Sequence, residues 1–513
     1  MYYFKKLNEN YFIYIILIFI FIPLNFIPQL FGGVMFEYAY EIGDLSGIEN
    51  WYKEMSRHVQ LLFIYLVDLL TKYTSLPSEI FRDNLAIIFL ILLCIEVKKY
   101  SKILFGLENK WCNLAALFTA IFPIWHTLVD FEITLYFIPS YLLLFGFRNF
   151  ASKKKINIII GLIFIILSFD LESNFSFVIG LAIIHLLLNK VNSTYYFSVL
   201  KLITIIAISI GYYLIKQLYF PPSGAWQNYL AVDLSAFSSK VAVTQFIKNI
   251  LNYSTYFFLY LWIPIVFILH LLFINKKYFS EIKLILIEKF SFEYTNNYLL
   301  LIILSGFAIF PYLLINKSST ILYLSDYYQR HALLLAPIFG MFFSIMFRDM
   351  NKINCFQNKA NLNFYLIVFI CMNLVLLNYG NYRKTESHLF RSNLINELKA
   401  YGSIPKGNVQ LVSKNFPADF RSYEINFLMY KAYNVAGWWG TTSLIGPTEP
   451  PGPYTFILND EIYLSQYIIN EYKHECDIYI YLKNDLTKYE RLKKFYIFNY
   501  KKNFNIDKVI KKC

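Results

Sequence analysis

Charged residues are few. Asp, Glu, Lys and Arg make up 16% of the 513 residues, where soluble domains carry about 25%. That shortage excludes a highly charged disordered chain. The six cysteines are scattered at 94, 112, 355, 371, 476 and 513. They lack the Cys/His spacing of a zinc site and the density of a disulfide-stapled scaffold. Glycine (19) and proline (16) show no period, which excludes collagen-like and low-complexity architectures. There is no P-loop and no glycine-rich fingerprint after a strand, which argues against nucleotide-driven chemistry. What the chain has in abundance is apolar surface: 57% hydrophobic and 20% aromatic residues, with mean hydropathy +0.45.

A bilayer core takes about 20 apolar residues per helix. Eleven runs qualify: 11–31, 84–100, 111–129, 131–147, 156–170, 173–189, 199–219, 254–275, 298–316, 331–347 and 362–379. The stretch 59–70 is shorter and contains Asp68, so it is expected to lie in the interface as an amphipathic helix. The first run follows Lys5 and Lys6, is too long for a signal-peptide core and has no small-x-small cleavage site. It is expected to be an uncleaved signal anchor.

A net charge of +13 and a pI of 9.1 first suggest a nucleic-acid partner. Sorting the charges by position removes that suggestion. With the N-terminus in the cytoplasm, inside segments hold 19 basic and 7 acidic residues. Outside segments before residue 380 hold 9 basic and 14 acidic, and the tail 380–513 holds 19 and 13. The membrane part obeys the positive-inside rule. Eleven spans place the tail outside. The expected fold is an all-α polytopic membrane protein of about eleven transmembrane helices with a small extracytoplasmic α/β domain. The membrane domain is 1–379, with outer loop 32–83, and the soluble domain is 380–513. The expected location is the cytoplasmic (inner) membrane. In the tail, Val409–Ser413, Thr455–Leu458 and Asp477–Leu482 read as strands, and Cys476 with Cys513 is the one pair that could meet in an oxidising compartment.

Ionisable residues near mid-membrane are nearly absent, and no internal repeat is present. Both features argue against a transporter. The acids gather at the outer ends. The first outer loop carries Glu37, Glu41, Asp44, Glu49 and Glu54, then Arg57 and His58 at the start of the interfacial stretch. A carboxylate here can act as a general base, and Arg57 with His58 can hold a lipid phosphate. Each also fits a plainer role as a solvated loop acid or headgroup anchor. Asp130-Phe131-Glu132 and Asp170-Leu171-Glu172 each place two carboxylates in a tight outer turn, a pattern that can share Mg²⁺ or Mn²⁺. Arg330 and His331 sit at an outer helix start, where the helix dipole prefers anions. That placement makes sense opposite a phosphate.

This arrangement resembles the GT-C class of integral membrane glycosyltransferases. The likeness rests on about eleven spans, a long acid-bearing first outer loop followed by an interfacial helix, acids in the second outer turn, and an extracytoplasmic C-terminal domain. Asp130-Phe131-Glu132 is similar to the acidic motif of oligosaccharyltransferases in that class. Trp438-Trp439-Gly440 is similar to their WWD motif, but the acid is missing, and the first loop lacks the adjacent Asp-Glu pair of several GT-C families. The resemblance implies a polyprenyl-phosphate-linked sugar as donor, a glycan or lipid as acceptor, membrane lipids as surroundings and no nucleic acid. It implies a first-loop base, with Glu37 the first choice ahead of Asp44 and Glu41. It implies phosphate binding by Arg57, His58, Arg330 or His331, and an optional metal or acceptor role for Asp130, Glu132, Asp170 and Glu172. The alternatives are an O-antigen-type polymerase or ligase, which usually relies on Arg-rich outer loops, a lipid-linked glycan flippase, and a non-catalytic membrane partner acting through 380–513.

Overall fold

The computed structural model describes residues 49, 52–74, 78–125, 131–188, 198–223, 240–274, 292–315, 317–322, 327–352, 359–402, 404, 408–413, 428–429, 432–433, 439–444, 477–483 and 505–512. The chain is mostly helical, with a few strands. In chain order the helices are α1 His58–Thr74, α2 Ser78–Phe105, α3 Asn109–Ala120, α4 Phe131–Phe150, α5 Lys155–Ser168, α6 Ser173–Leu188, α7 Val199–Tyr219, α8 Lys240–Ile274, α9 Phe292–Leu314, α10 Leu335–Lys352 and α11 Lys359–Tyr401, with a 3₁₀ turn at Tyr327–Ala332 before α10. Three segments are long and apolar enough to cross a membrane: Val199–Tyr219, Asn296–Leu314 and Leu362–Gly380. α5 and α6 are shorter apolar helices.

Close packing follows from small residues and interdigitated rings. Where α4 crosses α5, a Cβ added to Gly161 would meet the Phe150 amide nitrogen at 2.3 Å and the Gly146 carbonyl at 2.6 Å. Only glycine allows that approach. Gly340 of α10 lies equally close to α3, where a Cβ would meet the Ala115 carbonyl at 2.4 Å. Deeper in the bundle Phe118, Phe339, Phe343 and Phe369 pack edge-on, tilted and stacked, with centroids 4.6–5.9 Å apart. Tyr260 of α8 joins them and donates its hydroxyl to Asn373 Oδ1 of α11 at 2.8 Å, so the polar group buried with the rings is satisfied.

α1 has two apolar faces. Leu61, Ile64 and Val67 turn inward, while Leu62, Leu66 and Leu69 are exposed. That exposed row suits a lipid interface.

α11 does not stop where the composition shifts at residue 380. It runs on to Tyr401 and carries Phe390, Leu394 and Leu398 into a second buried cluster. That cluster also holds Tyr52, Met55, Leu61 and Ile64 from the first-loop side, Ile138 and Leu142 of α4, and Val409, Leu411, Ile478 and Ile480 of the sheet. The sheet is β1 Asn408–Ser413, β2 Trp439–Leu444, β3 Asp477–Lys483 and β4 Asn505–Lys512, in the order β2-β1-β3-β4. β1 is parallel to β2 and β3, and β4 is antiparallel to β3. β1 and β3 match the expected strand-like runs. β2 and β4 are additional, and the Thr455–Leu458 run lies outside the described residues. Trp439 and Gly440, from the motif similar to WWD, are strand residues opposite Asn408 and Val409.

One prediction follows from this packing. Gly161→Ala should force α4 and α5 apart and lower the thermal midpoint, at a cost of about 1–3 kcal/mol, the usual range for overpacking. An unchanged melt would show that the crossing is not as tight as described. Cys476 and Cys513 lie outside the described residues.

Candidate functional site

The site is assembled at one end of the bundle, around the start of α1. The chain enters α1 through a tight bend. Ser56 has φ +60° and is buried, a conformation that costs a non-glycine residue of the order of 1–3 kcal/mol. Two sets of contacts hold it. Ser56 N–H donates to the Lys53 carbonyl at 2.9 Å, and Arg57 N–H to the Tyr52 carbonyl at 2.9 Å. The Ser56 hydroxyl donates to the Phe220 carbonyl at the end of α7, and Ser223 N–H donates to the Glu54 carbonyl at 3.0 Å. The His58 ring packs edge-on against Phe220, 5.0 Å between centroids.

The bend delivers Arg57 into the interior. Its side chain is buried and donates through Nη1 to the Tyr136 hydroxyl at 2.7 Å, with the guanidinium over the same ring. Across from it lies the turn between α5 and α6. Asp170 is buried, and its Oδ2 accepts the Gln60 backbone N–H of α1 at 2.9 Å. A carboxylate from another segment therefore caps α1, using one of the donors that a helix start leaves unpaired. The turn is itself held by the Ser168 carbonyl, which accepts from Leu171 N–H at 3.3 Å and from Asn174 Nδ2 at 2.8 Å. Glu172, two residues on, pairs with the buried Lys216 of α7.

The other wall is the stretch after α9. Hydroxyl and amide contacts fasten residues 317–321 to α8. Asn252 Nδ2 donates to Ser318 Oγ at 3.1 Å, and Ile321 N–H to Thr255 Oγ1 at 3.2 Å. The Tyr256 and Ser319 hydroxyls meet at 2.6 Å. The 3₁₀ turn then carries Arg330 and His331, both buried. His331 stacks on Tyr312 of α9 with centroids 4.5 Å apart and planes at 31°.

Electrostatics tie the segments together. Burial pushes the Asp170 carboxyl above its ordinary value, against the pull of the Gln60 and Val59 N–H groups and the charges of Lys216 and Arg57. Burial pushes Glu172 upward as well, but the nearby Lys216 and Arg57 charges outweigh it and hold that carboxyl below its ordinary value. His331 is held well below the usual imidazole range, first by burial and then by Arg330, Lys317 and Arg57. It is neutral at physiological pH and offers one N–H rather than a charge. Arg57 thus acts on residues of both walls, and the first-loop, third-turn and post-α9 segments form one site.

Of the residues singled out in the sequence, Arg57, Asp170, Glu172, Arg330 and His331 belong to this site. His58 sits beside it, exposed except for its Phe220 contact. Glu37, Glu41, Asp44 and Asp130 lie outside the described residues. Glu132 falls in the first turn of α4, with its side chain outside the description. Asp170 and Glu172 do not fit a shared Mg²⁺ or Mn²⁺, because one caps a helix and the other is paired with an ammonium. Among the described residues no group of three or more His, Cys, Asp or Glu could hold a metal ion. Sequence reasoning missed Gln60, Lys216 and the Ser318-Ser319-Thr320 clamp. The run of three hydroxyls was the one visible sign.

Neither a scan against protein-family models nor a search of curated proteins finds a match for this chain.

The shift of Asp170 carries a sign. A carboxyl raised in the folded state contributes stability that is full below its unfolded value and fades as pH rises through the folded one. Asp170→Asn keeps an oxygen for the Gln60 N–H and never ionises. Its thermal midpoint relative to the unmodified chain should therefore rise as pH climbs from below the ordinary carboxylate range to above it. Melts with a constant difference across that range would contradict the assignment.

Proposed function

We propose that the chain is an integral membrane glycosyltransferase of the GT-C kind. It moves a sugar from a polyprenyl-phosphate-linked donor to a hydroxyl of a glycan or lipid acceptor on the extracytoplasmic face of the cytoplasmic membrane. The observation that carries the reading is the meeting of Arg57 and Arg330, from widely separated segments, in one buried site beside the interfacial helix α1. Lys317 adds a third positive charge there. Guanidiniums that converge from separate segments raise the local positive potential and favour an anionic ligand. Their planar donors match phosphate oxygens. The site lies beside an apolar helix face where a lipid-borne phosphate can arrive sideways from the bilayer.

In this reading the eleven spans place the site and the sheet outside. Arg57 and Arg330 hold the donor phosphate, and neutral His331 donates an N–H to it. The acceptor hydroxyl attacks the anomeric carbon, the bond from that carbon to the phosphate oxygen breaks, and the polyprenyl phosphate leaves with both electrons. A carboxylate of the first loop, Glu37 before Asp44 and Glu41, takes the hydroxyl proton. A single displacement inverts the anomeric centre. As the sugar departs, charge builds on the leaving phosphate, and the arginines stabilise it most at that moment.

Arg57→Ala and Arg330→Ala should each lower sugar transfer by about 10–100-fold, the worth of a charge-assisted hydrogen bond. Arg57→Lys should recover part of the loss, and Glu37→Gln should abolish turnover while donor binding persists. The assay is transfer of labelled sugar from polyprenyl-phosphate hexoses by the purified full chain. Full transfer by both alanine variants would overturn the reading.

A further inference from the structure

The bend before α1 leaves one side chain that the site described so far does not use. Gln60 is fully buried, and neither its amide oxygen nor its amide nitrogen has a hydrogen-bond partner among the described residues. Buried amides are almost always satisfied, since an unpaired one keeps the whole cost of leaving water. Gln60 is the third residue of α1, where a glutamine normally reaches back to the backbone N–H just before the helix. Here that donor, Arg57 N–H, is already bonded to the Tyr52 carbonyl at 2.9 Å. The other local duty is taken too, because Asp170 Oδ2 accepts the Gln60 backbone N–H. Both capping roles are filled by other groups, and the amide is left over.

Its surroundings define what it can meet. Arg57, three residues before Gln60, is buried like it, and its charge acts on Asp170, whose Oδ2 accepts the Gln60 N–H. Asp170 contributes a second buried acceptor, Oδ1, without a partner among the described residues. The unmet set is therefore a donor and an acceptor on the amide plus an acceptor on the carboxyl. A phosphate is the wrong match, since its oxygens only accept and Asp170 would repel it. A hydroxyl donates one proton and accepts, so one hydroxyl can bridge the Gln60 amide N–H and Asp170 Oδ1 while a second donates to the Gln60 amide oxygen, and a sugar beside a phosphate offers several.

We propose that Gln60 is a specificity-determining residue that hydrogen-bonds a hydroxyl of the donor sugar, with Asp170 Oδ1 receiving that hydroxyl's proton end, while Arg57 holds the adjoining phosphate. The proposal rests on the donor reading above. It deepens that reading by separating the two halves of the ligand: charge reads the phosphate, and a buried neutral amide reads the sugar. A site built this way rejects an analogue that lacks the matching hydroxyl, because the amide is then stranded.

The test measures binding of the purified full chain in nanodiscs to two kinds of probe. One is a short-chain polyprenyl phosphate. The other is the same lipid carrying glucose, galactose or mannose. The unmodified chain should bind at least one glycosyl lipid more tightly than the bare lipid phosphate. Gln60→Leu and the closer isostere Gln60→Met should erase that increment, about tenfold for one hydrogen bond, and leave affinity for the bare lipid phosphate unchanged. Their thermal midpoints should be equal or higher, since an unpaired amide has been removed. If the variants keep the sugar increment, or simply lose stability with the increment intact, Gln60 is structural and the proposal falls. Equal affinity of the unmodified chain for bare and glycosyl lipids also overturns it, while the phosphate reading stands. Binding of neither probe overturns the donor reading itself, and this assignment with it.

Discussion

The architecture of the site hangs on the hydrogen bond from Gln60 N–H to Asp170. It joins the start of α1 to the turn between α5 and α6, and apolar contact between such segments has no direction. A carboxylate that accepts backbone N–H groups at a helix start has direction, because those donors point along the axis. It fixes where α1 begins, and so where Arg57 points. The strained backbone at Ser56 is tolerable for the same reason. The bend is held from one side by Asp170, from the other by the end of α7, and internally by the Tyr52 carbonyl. Each anchor is modest, and together they overdetermine the geometry.

The charges around that bond form a graded set. Arg57 is shared by both walls. Glu172 is committed to Lys216 and stays ionised, so it screens the neighbourhood without claiming a guanidinium outright. Asp170 is raised by burial despite its cationic neighbours, and its second oxygen stays available. His331, pressed between Tyr312 and three cations, gives up its proton. Arg57 and Arg330 both act on His331, so positive charge from two distant segments is concentrated on this wall of the site.

The sequence exposed the large apolar runs, the placement of α1 and the chemistry-bearing residues Arg57, Asp170, Glu172, Arg330 and His331, because long periods and rare residue types survive without knowledge of contacts. Boundaries were less visible. α11 passes residue 380 without a break, because an amphipathic stem packing on a sheet and an apolar span obey the same helical period. His331 precedes α10 rather than opening it, since a 3₁₀ turn leaves no mark in composition. β4 was hidden by Lys508, Lys511 and Lys512, which break the apolar alternation that marks a strand. Gln60 could not be found at all. Nothing about a glutamine in an apolar helix reveals that both its usual duties are discharged by Tyr52 and Asp170.

The second buried cluster gives the sheet a part in the site. Tyr52 and Met55, which frame the bend before Arg57, share their apolar surroundings with the α11 stem and with the inner faces of β1 and β3. A displacement of the sheet cannot leave these residues where they are, because close-packed interiors shift as units rather than deform smoothly. The sheet is therefore mechanically upstream of the arginine. Anything that moved it would reach Arg57 through Tyr52 and Met55 without touching a charged residue. On the proposed reading, in which the donor arrives sideways and the acceptor from above, that linkage would let the acceptor side report to the donor side through packing alone.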